Sequence, residues 1–314
     1  MGFAAHRVEC RPDMVFKVLE KLILGALPVV PGPLMRRLSS RYIAGETLAQ
    51  ALTKADELAE CGYDSIIDLL GEDISDEAEA RAVLAAYKSA ADALHERKLD
   101  SYVSIKPTHF GLRFSRELAR ELYTDLLEHC ASLGQMARVE MEDHTTTDDT
   151  LQLFAELRER FDNVGIVLQS RLFRTLADID KLPGKKVDVR MVKGIYLEPA
   201  SIAHTGAQEI RDAFVEGVVR LLDNGHSVAL ATHDESLAAR ALHEINTRSV
   251  PPDRYCFEVL LGVQQRLWER WKSGGHQVRV YIPYGPEWRA YSQRRLKKNP
   301  EILRHLIRNM LGGA

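Results

Sequence analysis

Residues 227–245 read SVALATHDESLAARALHEI and contain one complete strand-and-helix unit. The first part, Ser227–Thr232, is a short apolar run of the kind that forms a buried strand. The polar residues Thr232-His233-Asp234 end this run, and Ser236–Ile245 then places its apolar residues at helical spacing. The run therefore predicts a strand, a polar turn and an amphipathic helix in direct succession.

The same alternation extends over most of the chain. The predicted strands are Asp64–Leu70, Ser101–Lys106, Ala137–Glu142, Val164–Gln169, Val187–Val192, Ser227–Thr232, Tyr255–Leu260 and Val278–Ile282. The predicted helices between them include Asp76–Glu96, Ser115–Ser132, Asp148–Phe161, Ala207–Asp223 and Ser236–Ile245. Eight strands alternating with helices are typical of an α/β protein with a (β/α)8 TIM-type barrel. The rival is an open doubly wound sheet, but the sequence has neither G-x-G-x-x-G nor a P-loop motif, which favours the barrel.

Two regions flank the repeating pattern. We predict an N-terminal helical extension over residues 1–46 and a barrel catalytic domain over residues 47–314. Within the extension, Met14–Leu27 has the pattern of an amphipathic helix. It is suited to covering the barrel base, pairing with a second subunit or touching a membrane surface, and covering the base is the simplest of these roles. Near the other end, Pro286–Leu296 predicts a further helix and Ile302–Leu311 an amphipathic segment.

Composition narrows the class of protein. The 314 residues include 42 Lys and Arg against 45 Asp and Glu, so the net charge of −3 provides no general field for nucleic acid. No apolar run approaches the roughly 20 residues of a membrane span, and the first residues do not resemble a secretory signal. The four cysteines are widely spaced, which favours a reducing compartment. We therefore expect a cytoplasmic protein with at most peripheral contact with the inner face of the membrane.

Functional groups follow almost every predicted strand. In a TIM-type barrel these strand ends lie together and form the active site. The groups are Lys106, Glu140, Gln169, Arg190, Lys193, Tyr196, Thr232, His233, Glu258 and Tyr281. The many cations suit an anionic substrate and a phosphate-bearing cofactor. Spacing alone also allows Lys106 and Glu140 to be a buried structural pair.

Two other classes of site are disfavoured by spacing. His109, His144 and His233 lack the H-E-x-x-H and facial-triad patterns, so we predict no metal. The sequence also has no G-x-S-x-G, which argues against acyl-transfer hydrolysis.

The helix Pro286–Leu296 places Tyr291, Arg294 and Arg295 on one face. Paired arginines can grip a carboxylate, and a tyrosine beside them can pack over an apolar ring. The alternative is a solvated basic face, because Lys297 and Lys298 follow directly. Composition by itself favours the solvated face.

Several of these segments together resemble flavin-dependent proline dehydrogenases. The segment Arg190–Pro199, which contains Val192-Lys193-Gly194-Ile195-Tyr196, is similar to the fifth-strand signature of that family. The other matching segments are Ser104-Ile105-Lys106, Met141-Glu142-Asp143, Val167-Leu168-Gln169, Ala231-Thr232-His233-Asp234, and Tyr281 followed by Tyr291-Ser292-Gln293-Arg294-Arg295. They occur in family order between about residues 42 and 300, and the length resembles the single-function bacterial form.

The resemblance implies a barrel that holds FAD over its strand ends. It also implies oxidation of L-proline to Δ1-pyrroline-5-carboxylate, with electrons passed to a membrane quinone. A separate pyrroline-5-carboxylate dehydrogenase would then take the product. The helix that bears Arg294 and Arg295 would lie over the strand ends as part of a lid.

The resemblance also assigns roles to individual residues. Arg294 and Arg295 would clamp the proline carboxylate, and Lys106, paired with Glu140, would sit beside the substrate. Leu260, Tyr281 and Tyr291 would wall the proline ring. The FAD-binding residues would be Gln169, Arg190, Val192, Lys193, Gly194, Tyr196, Thr232 and His233. The catalytic set is thus Lys106, Glu140, Tyr281, Arg294 and Arg295.

Three positions depart from the family pattern. Glu140 stands in place of the usual Asp, Glu258 in place of Gln, and Lys298 in place of Glu. Other functions also stay open: a hydroxyproline dehydrogenase, a non-flavin lyase that forms a Schiff base through Lys106 or Lys193, and a barrel that serves only as an interaction module. The bulk of Tyr281 favours proline over hydroxyproline.

Overall fold

A computed structural model describes residues 31–184 and 186–298, and for residues 33, 34, 37, 38 and 294–298 it describes the backbone alone. The predicted segments Met14–Leu27 and Ile302–Leu311 lie outside these residues. The described chain has two compact units. One comprises residues 42–286, and the other contains residues 31–41 and 287–298. The predicted domain boundary after residue 46 stays a prediction.

The unit of residues 42–286 is a closed barrel of eight parallel strands in sequential order. The strands are β1 (Asp64–Leu69), β2 (Ser101–Ile105), β3 (Ala137–Val139), β4 (Val164–Gln169), β5 (Asp188–Val192), β6 (Ser227–Ala231), β7 (Tyr255–Leu260) and β8 (Val278–Tyr284). The barrel closes where Ile66 of β1 pairs with Tyr281 of β8. The predicted TIM-type fold is confirmed.

Helices follow the strands in the order expected of this fold. They are α1 (Gly32–Ser39), α2 (Leu48–Glu60), α3 (Glu77–Glu96), α4 (Arg116–Ser132), α5 (His144–Arg158), α6 (Thr175–Asp180), α7 (Ala207–Asp223), α8 (Glu235–Thr247), α9 (Gln265–Ser273) and α10 (Trp288–Lys298). The helix predicted over Pro286–Leu296 is therefore present as α10. Short 3-10 turns cover Pro107–Phe110 and Pro252–Arg254.

The largest difference from prediction lies between β3 and α5. The strand ends at Val139 rather than Glu142, and the helix begins at His144 rather than Asp148. The Asp143 carboxylate causes the early start, because it accepts a hydrogen bond from Thr145 N at 2.9 Å and caps the helix. Residues 140–143 are thereby left in the turn that faces the strand ends.

The core has an apolar outer layer and a polar interior. On β5, Met191 is fully buried and packs toward Gly217 of α7, where its Cε lies 2.7 Å from the place of a Cβ. Its neighbour Arg190 has the opposite orientation and binds residues of β7 and of the turn after β3. Alternating strand residues therefore separate a hydrophobic layer under the helices from a charged layer inside the barrel.

The smaller unit pairs α1 with α10. The Arg36 guanidinium lies 5.5 Å from the ring centroid of Trp288, a cation–π arrangement. Within residues 31–184 and 186–298, we find no helix with both the length and the apolar character of a membrane span.

Candidate active site

Glu140 is the centre of a polar cluster at the strand ends. Its side chain is 13% exposed and forms an ion pair with Arg190. Ser104 Oγ donates to Glu140 Oε1 at 2.5 Å, and Tyr281 Oη donates to the same oxygen at 3.2 Å. Three predicted site residues, Glu140, Arg190 and Tyr281, are thus brought together from the turn after β3, from β5 and from β8.

The predicted pairing of Lys106 with Glu140 is wrong in its details. The Lys106 ammonium lies 3.8 Å from Asp68 Oδ1 and 3.4 Å from the Gly71 carbonyl oxygen, while Glu140 binds Arg190. The physical reason is competition: Arg190 reaches Glu140 across the barrel, and a second buried carboxylate at the end of β1 attracts Lys106. The Lys106 charge nevertheless helps to lower the Glu140 pKa.

Asp68 is the carboxylate that the sequence analysis missed. It is 1% exposed, and its Oδ1 has no hydrogen-bond partner among the described residues. Burial raises its pKa to about 6, although the nearby Lys106 ammonium acts in the opposite direction. The segment around Asp68 does occur in the predicted first strand. A single acid within an apolar run gives no signal that separates a site residue from a satisfied strand residue.

Arg190 connects the cluster to a second carboxylate, Glu258. Both side chains are about 4% exposed, and they form an ion pair through Arg190 Nε. The face of the guanidinium lies over the Tyr281 ring, with 5.1 Å between Cζ and the ring centroid. Arg190 Nη2 is buried without a hydrogen-bond partner among the described residues. This nitrogen is therefore a donor suited to a bound anionic or carbonyl group.

Below Glu258 the interior holds a further arginine and a tyrosine. Tyr102 Oη donates to Glu258 Oε1 at 2.5 Å, and Arg138 Nη2 lies 3.3 Å from the same oxygen. Arg138 also binds Asp188 at 2.6 Å. Neither Tyr102 nor Arg138 was expected at the site from the sequence, because inward-facing polar residues within a strand do not follow the strand-end rule.

Opposing forces set the pKa values of the two central carboxylates. Burial alone would raise the Glu258 pKa, but Arg190 and Arg138 outweigh it and lower that pKa to about 2. Burial likewise opposes ionisation of Glu140, and Arg190 together with the Ser104 hydrogen bond brings its pKa below the usual range. Both carboxylates are therefore ionised at neutral pH, opposite two buried guanidinium groups.

The predicted cofactor residues lie at the ends of β4, β5 and β6. Gln169 and Val192 are the last residues of β4 and β5. Gly194 has φ +97°, and a Cβ on it would lie 3.0 Å from Gln169 Oε1 and 3.2 Å from Arg171 Cβ. This backbone therefore requires glycine and allows a ligand to approach closely. Lys193 Nζ lies 3.4 Å from Asp234 Oδ2, and so is held at the rim.

The remaining members of this set are ordered by backbone hydrogen bonds. Thr232 Oγ1 accepts from Asp234 N at 3.1 Å. His233 Nε2 accepts from Leu260 N at 3.1 Å, which joins the turn after β6 to the end of β7. The Tyr196 carbonyl oxygen accepts from Arg171 Nη1 at 2.7 Å, and burial raises the pKa of the Tyr196 phenol.

Three predicted substrate residues belong to the smaller unit. Tyr291, Arg294 and Arg295 all lie in α10, and Tyr291 is half-buried. Their predicted role in binding a carboxylate, and the predicted position of their helix over the strand ends, stay predictions.

Comparisons with known proteins agree on one family. The sequence model for proline dehydrogenase matches residues 51–306. Proline dehydrogenase 1 of Bacillus subtilis (strain 168) is 30% identical over 272 residues, which cover 86% of this chain and 90% of that protein. The proline dehydrogenase of Deinococcus radiodurans is 31% identical over 284 residues, with 89% and 92% covered.

A solved structure shares the fold. It is proline utilization A (PutA) from Bdellovibrio bacteriovorus, inactivated by N-propargylglycine, which superposes with a TM-score of 0.77 at 21% identity. The superposition covers 88% of this chain and 34% of that longer one.

Proposed function

The chain belongs to the proline dehydrogenase family of oxidoreductases, and from that premise we propose that it oxidises L-proline to Δ1-pyrroline-5-carboxylate with FAD as cofactor. The observation that carries the proposal is the buried Arg190 guanidinium. It is fixed by two carboxylates, and one of its nitrogens is left to donate. Such a donor suits a flavin, which backbone and cationic groups at the strand ends can bind.

Two features of the described residues fit FAD. Arg190 Nη2 is a buried donor without a partner among them, and Gly194 provides backbone that a ligand can approach closely. The residues that would hold the cofactor are Gln169, Arg190, Val192, Lys193, Gly194, Tyr196, Thr232 and His233. When bound, FAD supplies a hydride acceptor that no amino-acid side chain provides.

The chain's own contribution is electrostatic and positional. Arg190 and Lys193 would place positive charge beside a cofactor that gains electrons, which favours the reduced form. Tyr281, held by Glu140 and covered by Arg190, would present one rigid wall to the substrate ring. Leu260 at the end of β7 would add an apolar wall. Holding the reacting carbon in place and excluding water are what such a reaction requires of the protein.

The substrate carboxylate would be bound by cations. We assign Arg294 and Arg295 as its clamp, Tyr291 as a further wall of the ring, and Lys106 as a neighbouring positive charge. Guanidinium groups suit this task because they bind carboxylates with two parallel hydrogen bonds. Asp68 lies beside Lys106 and offers an oxygen for its ammonium group.

The electrons and the product each need a further partner. We propose a membrane quinone as the acceptor, reached by peripheral contact from the cytoplasmic side. The product is a cyclic imine, which opens in water to an aldehyde, and a separate pyrroline-5-carboxylate dehydrogenase would oxidise it.

The visible spectrum tests the proposal directly. The purified chain, loaded with FAD, should show a flavin spectrum that bleaches when L-proline is added without oxygen. D-Proline and trans-4-hydroxy-L-proline serve as matched controls and should bleach it at least about tenfold more slowly. A chain that does not bind FAD would contradict the cofactor assignment. Bound flavin that only hydroxyproline reduces would contradict the substrate assignment.

A further inference from the structure

Four charges of alternating sign, three buried and one half-buried, cross the barrel interior. In order they are Arg138, Glu258, Arg190 and Glu140, and adjacent members form ion pairs. Arg138 is 1% exposed, and Arg190 and Glu258 are each 4% exposed. Burying one charge without its partner is costly, so the two acids and the two arginines neutralise each other as a set.

Arg190 is restrained at two of its three nitrogens. Nε donates to Glu258, and Nη1 donates to Glu140. Without Glu258, one hydrogen bond to Glu140 and the face of the Tyr281 ring would restrain the guanidinium, and it could still turn in the plane of that contact. The second anchor at Glu258 opposes this in-plane rotation and thereby fixes the position of the third nitrogen, Nη2.

Glu258 is itself firmly placed. Its Oε1 accepts a hydrogen bond from Tyr102 Oη at 2.5 Å and faces Arg138 Nη2 at 3.3 Å. Its Oε2 is thus left for Arg190. Arg138 fills interior space so closely that a Cβ on Gly165 of β4 would lie 3.2 Å from its Nη1. Glu258 therefore joins Arg190 to Tyr102 and Arg138.

We propose that Glu258 is a positioning residue: it fixes the Arg190 guanidinium so that Nη2 donates to the bound cofactor, and its charge balances the two buried arginines. The inference rests on the proposed function only in taking that cofactor to be FAD. The anchoring of Arg190 is a property of the chain without cofactor. Glu258 touches neither substrate nor cofactor in this assignment and acts through Arg190.

The test uses the full chain and compares Glu258→Gln with Asp188→Asn. The control variant also removes a carboxylate bound to Arg138, but Asp188 does not contact Arg190. The first readout is the Arg190 Nε–H resonance in ¹⁵N NMR of the flavin-free chain, assigned by its loss in Arg190→Lys. The second is the midpoint potential of the bound flavin.

Glu258→Gln should change the Arg190 resonance and speed its hydrogen exchange at least about tenfold, while Asp188→Asn leaves both unchanged. It should also raise the flavin potential, because a buried negative charge is lost. A tenfold change in the two-electron equilibrium corresponds to about 30 mV. An unchanged resonance in Glu258→Gln, or an equal rise of potential in Asp188→Asn, would overturn the proposal.

A second variant covers the case in which Glu258→Gln does not fold. Glu258→Asp keeps the charge but withdraws the carboxylate by one methylene. It should therefore also change the Arg190 resonance and speed the hydrogen exchange of that group. A wild-type resonance in this variant would overturn the positioning role. If wild-type protein takes up no FAD, the proposed function fails, yet the NMR comparison still tests the anchoring of Arg190.

Discussion

Arg294 is the residue on which the proposed substrate recognition depends most directly. We expect Arg294→Ala to raise the KM for proline at least about tenfold, which is equivalent to about 1.4 kcal/mol of lost binding. The reason is that a guanidinium–carboxylate contact supplies two charge-assisted hydrogen bonds. FAD content should stay unchanged, since Arg294 belongs to the substrate set and not to the cofactor set. Steady-state kinetics with proline, together with the absorbance ratio of flavin to protein, measure both.

Lys297→Ala is the matched control for this variant. It removes a neighbouring positive charge of the same helix, to which no role is assigned. If Lys297→Ala raised the KM as much as Arg294→Ala, a general basic surface would explain binding. A KM unchanged in Arg294→Ala would remove the clamp assignment.

At individual positions, the sequence predicted the strand-end residues better than the interior ones. Arg190 and Glu140 follow the rule that barrel sites form at strand ends, and both lie in the polar cluster. The partner of Lys106 was predicted wrongly because contacts across a barrel depend on how far each side chain reaches. Spacing along the chain does not contain that information. Asp68 was missed because a single acid within an apolar strand carries no signal of a role in a site.

Among the elements, β4 shows how the side chains of one strand restrict which residue its neighbour can carry. Gly165 has no side chain where Arg138 of β3 fills the interior, and a Cβ there would lie 2.9 Å from the Asp188 carbonyl oxygen and 2.9 Å from Met136 Cε. We therefore expect Gly165→Ala to lower the free energy of unfolding by about 1–3 kcal/mol, as overpacked cores do. Urea unfolding followed by circular dichroism measures the change.

Gly217→Ala provides the comparison for that experiment. Gly217 lies within α7, and its Cβ would meet only the flexible end of Met191 at 2.7 Å and two more distant atoms, Met191 Sδ at 3.5 Å and Ile179 Cδ1 at 3.7 Å. Alanine also favours a helix over glycine by about 1 kcal/mol. Gly217→Ala should therefore leave the free energy of unfolding nearly unchanged or raise it slightly. Equal destabilisation in both variants would show that backbone contact at Gly165 is not the cause.

The elements themselves were largely predictable because their periodicity is a local property. The strands Val164–Gln169 and Tyr255–Leu260 and the helix Ala207–Asp223 have the predicted limits. The helices Thr175–Asp180 and Gln265–Ser273 were not predicted. The first of these has only six residues, which is too short for a helical repeat to be evident. The end of β3 depended on the Asp143 cap, a side-chain hydrogen bond that an apolar pattern does not reveal.

For the molecule as a whole, a charged barrel interior links stability to pH. Glu258 and Glu140 favour neutral pH, because the arginines beside them lower the pKa values of their carboxyl groups. Asp68 acts in the opposite direction. Its folded-state pKa of about 6 lies above the usual value of 3.8 for an aspartate, so the folded chain binds a proton more tightly than the unfolded chain. The contribution of Asp68 to the stability of the folded chain is complete below pH 4 and is lost as the pH rises through 6.

Asp68→Asn should therefore change how the free energy of unfolding depends on pH, and not merely lower or raise it by a constant amount. A difference of roughly two pKa units corresponds to about 3 kcal/mol. Between pH 4 and pH 7, the free energy of unfolding of the variant should therefore rise by up to that amount relative to wild type. The measurement is urea unfolding of both proteins at intervals across this range. Asp188→Asn is the control, because Asp188 is half-exposed and pairs with Arg138 and not with Lys106. The free energy of unfolding of this variant should show no such rise relative to wild type. A constant difference between Asp68→Asn and wild type at every pH would mean that folding does not shift the Asp68 pKa, and it would contradict the raised value.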